Sequence, residues 1–545
     1  MKRLLYSALL LAALTTTAAA ASPDTVYIKQ AQRPILLDRE DNILFYMKVD
    51  SDSDETFESV TLNLGEEVNL KNIKSLKLYY SGSESIYKIP EGRFAPIEYI
   101  SAFAPNNTRK ANQSYSRLMT ELKPKSNSIK FESTQELLPG TNYFWISVEM
   151  KKSTSTLAKI TGEIVDVKID KQSAPLNTVS PKGVESRMGV GVRQAGDDNS
   201  NAFRIPGLAT TNQGTLLGVY DVRYNNSKDL QEHVDIGLSR STNGGQSWEK
   251  MRLPLHFGEY GGVPLAQNGV GDPAILVDTE TNTIWVIAIW SHGLGNGASW
   301  YNSQQGNHYK ATSQLVLSKS IDDGKSWSEP INITEQVKDP SWRLLLQGPG
   351  RGITMSDGTL VFPIQYKDAE EMPHAGIMYS KDRGETWVIT NPARSNTTEA
   401  QVAELSDGSL MLNMRDNRGG SRAVMTTTDL GESWVDHCSS RSALREPVCQ
   451  ASLISVKAED NIFGKDILIF SNPDVDKSPR RNITIKISFD DGKTWEEESK
   501  VLLDESDNWG YSCLTMIDKE SVGILYESSV AQMTFQAVKL RDLAK

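Results

Sequence analysis

The residues best suited to chemistry in this chain are arginines, carboxylates and tyrosines set in short, distinctive contexts. Arginine stays charged at every accessible pH and presents a planar fork that bonds a carboxylate through two N–H groups. Arg204 sits in Phe203-Arg204-Ile205-Pro206 and Arg415 in Leu412-Asn413-Met414-Arg415-Asp416, while Arg480 and Arg481 adjoin in Pro479-Arg480-Arg481-Asn482-Ile483. Taken singly, each is more readily a solvated surface charge. The six histidines form no His-Glu-x-x-His pattern, no Gly-x-Ser-x-Gly elbow occurs, and no glycine-rich phosphate loop follows a strand. Neither a metal nor an organic cofactor is therefore expected. Cys438, Cys449 and Cys513 are odd in number and lack zinc-site spacing. Buried free thiols are the favoured reading, with a Cys438–Cys449 disulfide left open.

The most regular acid-bearing pattern is Ser/Thr-x-Asp/Asn-x-Gly-x-Ser/Thr-Trp, which recurs five times, at Ser241–Trp248, Ser320–Trp327, Ser380–Trp387, Thr427–Trp434 and Ser488–Trp495. Its carboxylates are turn residues. Asp or Asn and Ser or Thr oxygens bond nearby backbone N–H groups, Gly supplies the positive φ, and Trp packs the turn onto neighbouring strands. Recurrence at spacings of roughly 50–80 residues marks a repeated four-stranded sheet, hence a β-propeller. Before these repeats, Ser59–Leu64 and Ser75–Tyr80 alternate apolar and polar residues, as half-buried antiparallel strands do. A β-sandwich over 22–181 fits, with a linker at Leu176–Ser186, and the propeller then spans 182–545. The expected fold class is all-β.

At 545 residues the chain exceeds what one core organises, and 38% hydrophobic with 23% charged residues is ordinary globular composition. A net charge of −11 without like-charge blocks argues against nucleic acid or an anionic membrane as partner. Met1-Lys2-Arg3, an apolar run over Leu4–Leu14 and small residues through Ala21 form a signal-peptide pattern, so 1–21 is expected to be removed. No later run approaches the roughly 20 apolar residues a membrane helix needs. A periplasmic or secreted protein without membrane insertion is expected.

Between the repeats the chain resembles the exo-sialidase (neuraminidase) family of Asp-box propellers, from about Gly183 to Lys545. The resemblance implies a six-bladed propeller and a sialylated glycan as substrate. It implies three arginines for the sialic acid carboxylate: Arg204, Arg415 and Arg480, with Arg481 the rival for the last. Tyr511, in Trp509-Gly510-Tyr511-Ser512, matches the nucleophile, and Glu399, in Thr398-Glu399-Ala400-Gln401, its base. A neutral tyrosine suits this substrate, because a carboxylate nucleophile approaching an anomeric carboxylate at about 4 Å would cost roughly 4 kcal/mol. Asp229 matches the general acid, with Asp235 as competitor by position. Arg223 resembles an additional pocket arginine, Glu527 the residue orienting Arg204, and Asp272 a pocket-lining aspartate. Tyr301 and Gln347 are expected to contact the glycerol and N-acetyl groups.

Three rival activities share this framework. A sialic-acid lectin would need the arginines but not Tyr511, Glu399 and Asp229, whose joint presence favours an enzyme. A trans-sialidase would share every catalytic residue. A hydrolase for a related nonulosonic acid would differ in the N-acetyl pocket. The N-terminal domain is either a carbohydrate-binding module, stacking sugars on Tyr79, Tyr80 or Trp145, or a spacer with those rings in its core.

Overall fold

The computed structural model describes residues 25–83 and 116–544, except positions 53 and 296. The expected leader, 1–21, lies outside the described residues. Thr56–Leu64 buries alternate side chains and pairs with Gly162–Ile169 and Ser128–Glu136 in a four-stranded sheet completed by Gln172–Ser173. A six-stranded sheet faces it, in the order Leu176–Thr178, Val26–Gln30, Asn42–Ser51, Gly140–Met150, Ile73–Ser83, Arg117–Leu122. Phe57, Leu62, Leu78, Phe131 and Phe144 meet between the sheets. Each such buried side chain contributes roughly 2 kcal/mol.

The outer face of the larger sheet departs from the half-buried expectation. Ile43, Tyr46, Tyr79, Tyr143 and Trp145 form a second buried cluster there, and Tyr79 stacks on Trp145 at 4.2 Å between centroids. Tyr79 Oη donates to Asp41 and Trp145 Nε1 to Ser116, while Tyr80 is buried against Phe144. The three rings proposed for sugar stacking are core residues. The expected linker also starts as a strand, because Leu176–Thr178 runs parallel to Val26–Gln30.

After the sandwich, six sheets form a ring among the described residues. The first five are consecutive antiparallel meanders, beginning with Ala202–Thr210, Asn268–Val277, Leu344–Gln347, Thr397–Glu404 and Ser452–Val456. The sixth contains Ser512–Asp518, Ser521–Tyr526 and Met533–Lys539, and its outer strand is Ser186–Arg193, drawn from the start of the ring. Successive sheets touch in order, and Ser512–Asp518 returns against Ala202–Thr210. The architecture is all-β: a six-bladed β-propeller behind a smaller sandwich.

Each Asp box joins the third and fourth strands of a blade. Asp322 accepts from Ser320 Oγ (2.8 Å), Ser326 N (2.9 Å) and Lys325 N (3.0 Å), and Gly324 N donates to Ser320 Oγ. The sixth sheet needs no such turn, since its fourth strand arrives from elsewhere in the chain. Five boxes for six blades follows from that closure. The three cysteines are free, with Cys438 exposed and Cys449 and Cys513 buried. No helix among the described residues is long and apolar enough to cross a membrane.

Candidate active site

All six blades contribute to a cavity of about 680 Å³ near the entering ends of their inner strands. Local irregularities aim the side chains into it. Register slips fall between Arg204 and Gly207, Gly271 and Ala274, and Thr397 and Ala400, so Arg204, Asp272 and Glu399 all sit at bulges. A bulge bends the strand and redirects a side chain that regular pleating would send elsewhere. Ile205 and Asp272 adopt φ of 59° and 57° there. A left-handed β-branched residue is strained by roughly 1–2 kcal/mol, and Ile205 is retained by burial against Cys449 and Tyr511.

Arg204, Arg415 and Arg480 line the cavity together. Arg204 Nε donates to Glu527 Oε1 at 2.9 Å, and the guanidinium lies over Trp509 at 4.8 Å and Tyr511 at 5.4 Å. Arg480 donates to the carbonyls of Trp509 and Val448, both at 2.8 Å, and lies 5.7 Å over the Tyr511 ring. Arg481 points away, with Nε 3.7 Å from Asp507. Burial works against the charges of Arg204 and Arg415. The facing carboxylates, Glu527 for Arg204 and Glu399 for Arg415, nevertheless raise both pKa values above the ordinary arginine range.

Tyr511 is 6% exposed and lines the cavity beside these cations. Its hydroxyl donates a hydrogen bond to Glu399 Oε1 and accepts from Arg415 Nη1 at 3.2 Å. Arg415 Nη1 also reaches Glu399 Oε2 at 2.7 Å. Burial, then the charge of Glu399, pushes the phenol well above its usual pKa, against the pull of Arg415 and Arg480. Tyr511 is thus neutral, with its proton aimed at a carboxylate. The preceding Gly510 is required: its φ is +94°, and a Cβ would lie 2.8 Å from Pro473 Cγ, 2.9 Å from Cys449 Sγ and 3.0 Å from Arg480 Cδ.

Asp229 lines the cavity with a side chain 70% exposed. Its Oδ1 accepts from Arg223 Nη1 at 2.8 Å and is 3.7 Å from Arg204 Nη1. Burial opposes its ionisation, but Arg223 and Arg204 hold its carboxyl below the ordinary range. Asp235 is buried, accepts from Tyr224 Oη, and does not line the cavity. Asp272 lines the wall, its pKa raised well above the ordinary carboxylate range by burial and by the charges of Asp221 and Asp229.

Arg223 and Gln347 take positions other than those expected, whereas Glu527 lies behind Arg204, where it can orient it. Arg223 is 1% exposed beneath the wall, clamped between Asp221 (2.8 Å) and Asp229, so it restrains the acid rather than lining the pocket. Glu527 is fully buried behind Arg204, accepting also from the backbone N–H groups of Ile205 and Tyr511. Gln347 is fully buried and outside the cavity lining. On its strand Leu344 and Leu346 face the cavity, and side-chain alternation turns Gln347 to the other side. Gln365 and Lys367, on the paired strand, line the wall instead. Tyr301 does line the rim, 71% exposed. Lys367 lies 5.3 Å over the Trp300 ring and 5.6 Å over Tyr301. Trp509, Gln365 and Lys367 were not singled out from the sequence, where no short motif distinguishes them.

Comparison with known proteins places this geometry among related chains. A family described as the N-terminal domain of BNR-repeat neuraminidase matches residues 23–173, and a BNR repeat-like domain matches 205–527. A sialidase of Bacteroides fragilis is 63% identical over 96% of this chain and 96% of its own. A sialidase of Paraclostridium sordellii is 33% identical over 61% of this chain and 82% of its own. The solved structure of the Hadza microbial sialidase Hz136 superposes with a TM-score of 0.91 at 56% identity, covering 95% of this chain and all of that one.

Proposed function

This chain belongs to the bacterial sialidase family of BNR-repeat glycoside hydrolases, and from that premise we propose that it is a retaining exo-α-sialidase. Its substrates are terminal sialic acids on glycoproteins, glycolipids and oligosaccharides, released through a tyrosyl covalent intermediate. The observation that carries this reading is the Glu399–Tyr511–Arg415 contact set inside an arginine-lined cavity. Arg204, Arg415 and Arg480 receive the anomeric carboxylate. Asp229, as acid, protonates the departing glycosidic oxygen. Tyr511 attacks the anomeric carbon as its proton passes to Glu399, so the nucleophile gains its charge only as positive charge develops at the carbon. Asp229, then a carboxylate, takes a proton from water, which displaces Tyr511. The phenol recovers its proton from Glu399.

The substrate also resets the acid. In the empty site two arginines favour ionised Asp229, whereas a carboxylate bound on Arg204 offsets that charge and lets Asp229 hold its proton. Asp272, whose pKa burial raises, faces a ring hydroxyl, and the Trp300-Tyr301 rim and Gln365 face the remaining substituents. The leader 1–21 directs export, giving a periplasmic or secreted enzyme built from a sandwich, 22–181, and a catalytic propeller, 182–545.

The deciding experiment measures fluorophore release from a methylumbelliferyl α-sialoside, with Tyr511→Phe alongside. Loss of more than a thousandfold in kcat with inhibitor binding retained is expected, and 2,3-difluorosialic acid should add one sialyl mass to Tyr511 in the parent protein. A fully active Tyr511→Phe would refute the nucleophile. Saturable sialic acid binding without turnover by the parent would favour a lectin.

A further inference from the structure

The segment joining two sandwich strands, Lys29–Arg39, reaches out of its own domain and grips the propeller immediately behind the cavity. Arg33 is 5% exposed. Its Nε donates to Ser529 Oγ at 3.1 Å, its Nη2 to Ser529 O at 3.2 Å, and its Nη1 to Tyr46 Oη at 3.4 Å within the sandwich. Ser529 is held from the opposite side by Asp504, which accepts from its N at 2.6 Å and its Oγ at 2.8 Å. Arg39 Nη2 donates to Val530 O at 2.6 Å, and Leu36 packs on Val530 and Ala531. One turn of propeller chain, Ser529–Ala531, is therefore fixed by the other domain.

Two residues before Ser529 is Glu527. It accepts from Arg204 Nε at 2.9 Å, Ile205 N at 3.0 Å and Tyr511 N at 3.1 Å, and its own N–H donates to Tyr511 O at 3.0 Å. A second arm reaches the same tyrosine from the other side. Glu505 N donates to Gln32 O at 2.9 Å, and Gln32 Nε2 to Leu502 O at 3.2 Å. From Glu505 the chain runs to Asn508, whose N–H donates to Arg480 O at 3.0 Å, and on to Tyr511. Both chain segments that set Tyr511, Arg204 and Arg480 thus end in contacts with Lys29–Arg39.

We propose that Arg33 of the N-terminal domain is a positioning residue for catalysis, holding the Ser529 turn so that Glu527 fixes Arg204 and the Tyr511 backbone in their reactive arrangement. The role rests on the sialidase reading of the cavity and assigns the sandwich a part in building the active site. An arginine suits it: one planar fork bonds both the hydroxyl and the carbonyl of Ser529 while its charge faces Asp504. Displacement of a catalytic group by about 1 Å can cost up to a hundredfold in rate even when the altered residue is remote.

The test uses the full-length chain carrying Arg33→Met, Arg33→Lys or Lys159→Met. Lys159 binds Glu185 (3.0 Å) and Asp542 (2.9 Å) where the domains meet elsewhere, so its variant reports interface loss alone. Melting temperature, kcat and KM on an aryl α-sialoside, and affinity for 2,3-didehydro-2-deoxy sialic acid are measured below every melting transition. Arg33→Met is expected to lose about 10- to 100-fold in kcat and to bind the inhibitor more weakly, with Arg33→Lys recovering part of both. Lys159→Met is expected to melt lower with kcat unchanged. Parent-like kcat and inhibitor affinity in folded Arg33→Met would overturn the proposal. Should that variant fail to fold, Ser529→Ala, which removes the hydroxyl between Arg33 and Asp504, must show the same kcat loss, and full activity there would equally overturn it. An inactive parent protein would count against the sialidase reading instead.

Discussion

In the mechanism we propose, Asp229 and Arg223 divide one task that a single residue could not perform. The acid must reach a leaving oxygen, which requires the exposure that its side chain has. It must also be aimed, which the buried Arg223 achieves through a 2.8 Å ion pair. The cost is a carboxyl held below its ordinary pKa in the empty site, whereas leaving-group protonation needs the acid form. A folded pKa that is depressed means the proton is lost at lower pH, so kcat/KM on a natural glycan should fall as pH rises through the range where Asp229 ionises. An aryl sialoside with a good leaving group needs little protonation and should fall less. Asp229→Ala should therefore lose about 10²- to 10⁴-fold on sialyllactose but far less on the aryl substrate, and it should flatten that decline. Steady-state profiles on both substrates check this, and equal losses on both would remove Asp229 from the acid role. At this scale the sequence was legible where a motif carries the chemistry: Arg204, Arg415, Arg480, Tyr511 and Glu399 all meet. It misled at Gln347, because strand parity, not proximity to Gly348-Pro349-Gly350, decides which side chain faces the cavity.

The elements explain why those residues meet at all. Regular strands would alternate their side chains between faces, and three bulges break that alternation where Arg204, Asp272 and Glu399 enter the wall. No sequence pattern marks a bulge that carries Ile205 or Asp272 in the left-handed region, so this layer was not foreseen. The turn before Tyr511 is the sharper case. Gly510 is hemmed in by Pro473, Cys449 and Arg480 as well as left-handed. Gly510→Ala should cost about 1–2 kcal/mol from conformation alone. It should also displace the Arg480 side chain, raising KM for sialosides more than a loop substitution such as Gly408→Ala. There φ is +81° with open space around a Cβ. Melting curves and KM for both variants separate backbone strain, which they share, from the crowding that only Gly510 has. By contrast, the Asp boxes were fully legible. Their bonds are local to eight residues, and their absence from the sixth sheet follows from its non-local fourth strand.

The two domains share more than a boundary. Ser186–Arg193 is the outer strand of the sixth blade, pairing Val190 with Phe535, and the same strand pairs Met188 with Ile35 and Ser186 with Ile160 of the sandwich. Arg187 and Lys159 converge on Asp542 at 2.8 and 2.9 Å, beside the last strand. The strand that closes the ring is therefore held by the sandwich over its first half, Ser186–Gly189. Opening either unit would strip hydrogen bonds and ion-pair partners from the other. Their sequences, one alternating and one repetitive, suggested separate units joined by a linker, because pairing between strands more than 100 residues apart leaves no local trace. The shared strand predicts one cooperative thermal transition for the whole chain, with turnover and sandwich tertiary signal lost together and calorimetric and van't Hoff enthalpies agreeing. Independent domains would instead give two transitions, and survival of turnover through the first would show that the sandwich is dispensable to the ring. Since Arg33 fixes the Ser529 turn of the sixth blade and Ser186–Arg193 is the outer strand of that blade, coincident loss is the outcome the joint architecture requires.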